Sequence, residues 1–224
     1  MNSAAIVYAR TDSTRFPDKC FHCLGGYSLI ELVIKRVQKA DIGQVILATT
    51  DRSVDDRLSD EGRRLGVRLV RGDTHNLVNR TLSVIDEVGV DAFCRVNADS
   101  PFVDIELLRL GRSLILRDID FVTNLVRRTY PYGIALEWII AHKYKELATN
   151  AHADEVEHVT KHLYRQDADI NMVSIVQDGI DQSNCRLTVD YPADLSLLNE
   201  LVKKISKDPV DLTYTDVLRF LNES

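Results

Sequence analysis

Apolar runs rich in β-branched residues alternate along the chain with stretches whose apolar positions recur at helical spacing. AAIVYA (4–9) predicts a buried strand. SLIELVIKRVQKA (28–40) predicts a helix with Leu29, Leu32, Val33 and Val37 on one face, Ser28 as N-cap and Glu31 three residues later. QVILATT (44–50) and VRLVRG (67–72) predict the second and third strands, separated by an amphipathic helix at 55–66 that ends at Gly66. A helix from about Asn76 to Val88, a strand at 90–98, a helix from Asp104 to Leu116 and a strand at 118–124 continue the rhythm. Strands this uniformly apolar belong in an α/β fold, with a mostly parallel sheet covered by helices on both faces.

From Tyr130 to Gln177 the rhythm loosens. Residues 129–139 predict a turn entering an extended segment, 141–149 and 154–165 predict helices, and INMVSIV (170–176) a strand. This stretch, about 129–178, reads as an insertion in a single domain spanning 1–224, capping the site or meeting a partner subunit. NCRLTVD (184–190) then predicts a returning strand, followed by a helix opened by Pro192 and a last helix from about Thr213.

At 224 residues, 45% hydrophobic and 28% charged, the chain has the composition of a soluble globular protein. Its net charge of −6 argues against non-specific binding to nucleic acid or to a membrane surface, both of which want a basic face. No apolar run approaches the roughly 20 residues of a membrane span, and no basic-then-apolar leader opens the chain, so the expected location is cytoplasmic. Of the four cysteines, Cys94 and Cys185 lie in apolar runs. Cys20 and Cys23 form a C-x-x-C with no second pair, and all four are expected to be buried small hydrophobes.

Against this acidic background the loop ARTDSTRFPDK (9–19) stands out, because it leaves the carboxyl end of the first strand. Doubly wound sheets place ligands at that edge. Arg10 and Arg15 can fork onto phosphate oxygens, Lys19 supplies a point charge, and Ser13 and Thr14 add hydroxyl donors. The competing reading is a solvated loop whose cations pair with Asp12 and Asp18. Asp99 and Asp190 each close an apolar run and are soon followed by proline. Two such carboxylates together with phosphate oxygens suit Mg²⁺, whereas each alone could be a helix N-cap. His158 and His162 stand four apart with Asp154 nearby, but without an H-E-x-x-H pattern an interface or a sugar-contacting face is favoured over a zinc site.

Taken in order, ARTDSTRFPDK, LGGYSLIELVIKRV, ILATTD, RVNADSPFVD, TYPYG, VEHVT and RLTVDYPADL resemble the spore-coat-polysaccharide type of cytidylyltransferase. That family is related to the acylneuraminate and 3-deoxy-manno-octulosonate cytidylyltransferases, and the similarity runs from about residue 4 to 200. The resemblance implies a three-layer Rossmann-like, GT-A-like fold (that of the nucleotide-diphospho-sugar transferases). It also implies a Mg²⁺-dependent enzyme that uses CTP to activate a sugar acid, releasing pyrophosphate, in surface polysaccharide biosynthesis, and a homodimer built through the insertion.

Carried onto this sequence, the resemblance puts Arg10, Ser13, Arg15, Lys19 and Arg80 on the nucleotide. Asp99 and Asp190 would be on the metal, and Arg10, Lys19 and Asp99 would be central to catalysis. Tyr130, Glu137, Glu157 and His158 would lie on the sugar side. The family usually has glycine where Asp12 stands and often where Asp18 stands; a carboxylate there repels a triphosphate unless it turns away or meets the metal. Asn79 replaces an aspartate, and Tyr132 and Ala135 stand where acidic residues are usual, which implies a retuned sugar pocket. Two alternatives remain open from sequence: a nucleotide-binding protein of the same fold without catalysis, and a nucleotide-sugar-dependent glycosyltransferase. The second is expected to carry a D-x-D motif that NADSP lacks.

Overall fold

Six consecutive buried residues, Ser3–Tyr8, form β1 in the interior of the sheet. The computed structural model describes residues 1–115 and 117–223, without the side chains of 222 and 223. After β1 come a short hairpin, β2 (Cys23–Leu24) and β3 (Tyr27–Ser28), and then α1 (Leu29–Ala40), β4 (Gln44–Thr50), α2 (Asp56–Arg64), β5 (Arg68–Gly72), α3 (Leu77–Val88) and β6 (Ala92–Asn97). The second half holds α4 (Ile105–Ile115), β7 (Phe121–Thr123), β8 (Glu137–Ile140), α5 (Ala141–Ala148), β9 (Met172–Ser174), α6 (Pro192–Ile205) and α7 (Tyr214–Glu223).

Seven strands form one sheet in the order β5-β4-β1-β6-β8-β7-β9. All its pairings are parallel except those of β8, which runs antiparallel to both neighbours. Alternating side chains of each strand feed two cores. Ala5, Val7, Leu47, Cys94 and Trp138 pack against α1, α4 and α6, whereas Ile6, Ile46, Phe93 and Ile139 pack against α3 and α5. The expected α/β architecture, a mostly parallel sheet between two helical layers, is the observed one. From β1 the chain builds outward through β4 to β5, then crosses to β6 on the other side of β1. Ligands bind beyond the carboxyl ends of strands at such a reversal.

Local signals set the helix ends. The Ser28 hydroxyl accepts from the Glu31 amide at 3.2 Å, and α1 stops at Asp41, whose φ is +50°. Asn76 caps α3 by accepting from the Asn79 amide at 2.8 Å, and Gly89 ends that helix at φ +68°.

Several predicted elements are corrected. Residues 184–190 are not a strand: they make one isolated bridge, Arg186 to Tyr132. Their neighbour there is the Pro131–Gly133 turn, too short for a ladder, and beyond it the Val189 amide turns to the Asp99 carbonyl at 2.9 Å. Residues 154–165 are turns with a 3-10 segment at Lys161–Tyr164, not a helix. The Val156 carbonyl there accepts from the Leu77 amide at 2.7 Å, capping α3 instead of bonding within its own segment, and Val156, Val159 and Thr160 are poor helix formers. Leu116, at the end of one predicted helix, lies outside the described residues. Cys20 and Cys94 are buried as expected, but Cys23 is exposed on the β2–β3 hairpin and Cys185 is half-buried. Among the described residues no helix is long and apolar enough to cross a membrane.

Candidate active site

The cationic loop is anchored by residues that carry no positive charge. Phe16 and Cys20 are buried in the core under α1. Thr11 donates both its amide and its hydroxyl to Asp55 Oδ1, each at 2.8 Å, and the Thr50 hydroxyl donates to the other oxygen of the same fully buried carboxylate. Burial opposes ionisation of Asp55, yet the donors from Thr50 and Thr11 outweigh it and hold the group below the usual carboxylate range. Asp55 thereby ties the loop after β1 to the loop after β4.

A cleft of about 610 Å³ opens at the carboxyl ends of β1 and β6. Arg10, Ser13, Arg15, Lys19, Arg80, Asp99, Asp190 and Glu157 all line it, so eight of the residues singled out from sequence share one cavity. The remaining three do not line it. His158 lines a shallower hollow of about 280 Å³ beside it, together with Arg95 and Lys161. Tyr130 packs on Tyr214 of α7 with ring centroids 5.3 Å apart. Glu137 is only 1% exposed, paired with Arg95 and accepting from the Tyr164 hydroxyl at 2.7 Å. It sits on β8, inside the sheet, and does not line the cleft.

The two aspartates are released from helix capping by their neighbours. Asp104 takes the cap of α4, accepting from the Leu107 amide at 2.8 Å. Asp194 takes the Asp190 and Tyr191 amides at 2.8 and 2.9 Å. Asp99 and Asp190 are thus free to face the cleft. They converge on Lys19, whose ammonium donates to Asp99 Oδ2 at 2.8 Å and to Asp190 Oδ1 at 3.2 Å. Burial alone would lower the lysine pKa, but the two carboxylates outweigh it and raise it above its ordinary value. Arg15 adds a 2.8 Å contact to Asp190 Oδ1, and Arg186 pairs with its other oxygen. Against these cations burial loses again, and Asp190 titrates below the usual carboxylate range.

The donor set is a test of which metal fits. Two hard carboxylates, sharing one nitrogen within hydrogen-bonding reach, match Mg²⁺, which takes one or two protein carboxylates and fills its shell with phosphate and water oxygens. Among the described residues no three His, Cys, Asp or Glu side chains are grouped to hold a metal. That removes the zinc reading of Asp154, His158 and His162. His162 is instead buried against the Tyr144 ring, 5.0 Å away.

The two acidic residues of the loop are both accounted for. Asp12 lines the cleft but is paired with Arg52 at 2.7 Å and with Arg10 at 3.5 Å. Asp18 adopts φ +53°, the left-handed region where glycine is favoured and aspartate tolerated, and its carboxylate pairs with Arg57 at 3.3 Å. Arg80 is 2% exposed and spends its guanidinium on the carbonyls of Asp73, at 2.5 and 2.8 Å, and Thr74, at 3.1 Å. It shapes the cleft wall as well as charging it.

Sequence reasoning missed Tyr8, His75, Arg95 and Asn97, which also line the cleft. The signal for two of them was present: in RVNADS, Arg95, Asn97 and Asp99 alternate, and a charged residue inside an otherwise apolar strand marks the face that meets the ligand edge.

A sequence profile of the cytidylyltransferase family matches residues 4–206. The chain belongs to the cytidylyltransferase family. It is a nucleotidyltransferase, and two comparisons extend along nearly its whole length. It is 27% identical over 231 residues to the spore coat polysaccharide biosynthesis protein SpsF of Bacillus subtilis, covering 98% of this chain and 93% of that one. Its fold superposes with a TM-score of 0.93 on a cytidylyltransferase from Leptospira borgpetersenii at 23% identity, covering 100% and 94% of the two chains. A more distant fold neighbour is a CMP:2-keto-3-deoxy-manno-octonic acid synthetase complexed with CTP, at a TM-score of 0.61 and 16% identity, covering 91% and 99%.

Proposed function

We propose that this cytidylyltransferase transfers CMP from CTP to a sugar acid, giving a CMP-sugar and pyrophosphate for a surface polysaccharide. The observation that carries this reading is the meeting of Arg10, Arg15 and Lys19 with Asp99 and Asp190 in one cleft. A triphosphate needs the first set, and a divalent cation bound to it needs the second. The choice of cytosine and of a sugar acid rests on family membership and on the named relatives.

In this reading a sugar hydroxyl attacks the α-phosphorus in line. The new oxygen–phosphorus bond forms as the bond to the β-phosphate oxygen breaks, pyrophosphate leaves with that electron pair, and the hydroxyl proton passes to solvent. The protein's contribution is positioning and charge neutralisation. Arg10, Arg15 and Lys19 neutralise phosphate oxygens, Ser13 donates its hydroxyl, and Arg80 keeps the cleft wall at 73–76 in place. Asp99 and Asp190 would hold Mg²⁺, which supplies further neutralisation of phosphate charge. Glu157 at the cleft rim and His158 in the adjoining hollow are the proposed sugar contacts.

Val126, Tyr132, Val176 and Ile180 are exposed on loops within or flanking 129–178, which supports a homodimer formed through that stretch.

Pyrophosphate release with CTP, Mg²⁺ and a panel of sugar acids tests the reaction. Release that requires both CTP and one sugar acid is expected. CTP binding without turnover on any sugar, or donor-sugar hydrolysis without CTP, contradicts it. Asp99→Asn is expected to lower turnover by roughly a hundredfold or more with an unchanged melting temperature.

A further inference from the structure

The Lys19 ammonium has three N–H donors, and the protein takes all three: Asp99 Oδ2 at 2.8 Å, Val189 O at 3.1 Å and Asp190 Oδ1 at 3.2 Å. A phosphate oxygen can gain a hydrogen bond from Lys19 only if one of these is given up. Asp99 and Asp190 are also the two residues read above as the metal carboxylates. Ammonium and metal repel each other, so they cannot share those carboxylates at close range.

Building on the reading of Asp99 and Asp190 as metal carboxylates, we propose that Lys19 competes with the divalent cation for them and changes partner when the nucleotide arrives. The triphosphate draws Lys19 off the carboxylates, and the oxygens it leaves receive the metal that the triphosphate carries. Metal and nucleotide therefore bind as one unit, each strengthening the other, while a free divalent cation is held off by the protein's own lysine. Two further contacts strengthen the exclusion. Arg15 shares Asp190 Oδ1 at 2.8 Å, and Arg186 holds the second oxygen. The lysine itself is well placed to resist casual displacement, since its side chain is only 12% exposed and all three of its donors are engaged.

The test is the affinity for Mn²⁺ alone, without nucleotide, read by electron paramagnetic resonance of the free ion. Wild type is expected to bind it weakly. Lys19→Met, which keeps the length of the aliphatic stem, and Lys19→Gln are both expected to bind it about tenfold more tightly or better, the scale of ordinary site–site coupling. Arg10→Gln removes the same charge from the same cleft without touching either carboxylate, and is expected to change the affinity far less. Adding Asp99→Asn to Lys19→Met should erase the gain.

Folded Lys19 variants with wild-type Mn²⁺ affinity overturn the competition, as does an equal gain from Arg10→Gln. Neither result touches the proposed reaction, which pyrophosphate release tests separately. A gain that survives both Asp99→Asn and Asp190→Asn overturns the carboxylate assignment on which the competition is built.

Discussion

The Val189 amide donates to the Asp99 carbonyl at 2.9 Å, joining backbone to backbone the two loops that carry the paired carboxylates. Asp190 follows at once, and its amide is held by Asp194. Asp194→Ala is expected to cost about 1 kcal/mol of stability, the usual value of a lost cap, and to lower turnover as Asp190 loses its fixed position. Asp194→Asn keeps an acceptor and should retain most of both. Thermal melting and steady-state kinetics check this; identical behaviour of the two variants contradicts it.

Asp55 touches no part of the cleft yet fixes the loop that charges it. Asp55→Ala strands the Thr11 and Thr50 donors in a buried site, an expected loss of about 2–3 kcal/mol. For a chain of this size that lowers the melting temperature by roughly 5–10 °C. The nucleotide KM should rise as well, because the loop is no longer preorganised. A variant with a wild-type KM and a lowered melting point would show that loop geometry does not depend on this carboxylate.

Asp12 and Arg52 cancel each other at the cleft wall. Arg52→Ala exposes the Asp12 charge to the phosphates, and the nucleotide KM is expected to rise roughly three- to tenfold. Asp12→Gly frees Arg10 and Arg52 and should lower it by a similar factor. The double variant should lie near wild type. Purely additive effects across this cycle would show that the pair does not act together.

His162, in the 3-10 segment at Lys161–Tyr164, is buried against the Tyr144 ring, with neither ring nitrogen hydrogen-bonded. Burial pushes its pKa down from 6.5 to about 4, with Glu155 acting in the opposite direction and Arg165 in the same one. Between those values the unfolded chain binds a proton that the folded chain refuses. Stability should therefore fall as pH drops from about 6.5 to 4, by up to about 1.4 kcal/mol per pH unit, then level off. His162→Phe removes this titration, so its melting temperature should depend less on pH across that window. Parallel pH profiles for the two proteins contradict the assignment.

What sequence revealed was what is local. The β1 run, the Ser28 cap and the Asn76–Val88 helix depend on neighbouring residues, and all were legible. The cationic loop and the two strand-end aspartates were legible because charge stands out against apolar strands. The pairings Asp12–Arg52 and Asp18–Arg57 were not, since each joins residues about 40 apart that only the fold brings together. Glu137 was expected at the sugar through the family resemblance of its segment. It is buried because β8 enters the sheet between β6 and β7, a long-range pairing that no local pattern announces. The 154–165 helix failed for a similar reason: the Val156 carbonyl is claimed by another helix's first turn.

The most direct test of the central claim is a crystal structure with CTP and Mn²⁺, whose anomalous signal locates the metal. The predicted result is a metal peak between Asp99 and Asp190, with the triphosphate lying along Arg10, Arg15 and Lys19. A metal bound to neither aspartate, or a triphosphate outside the cleft between β1 and β6, would contradict it.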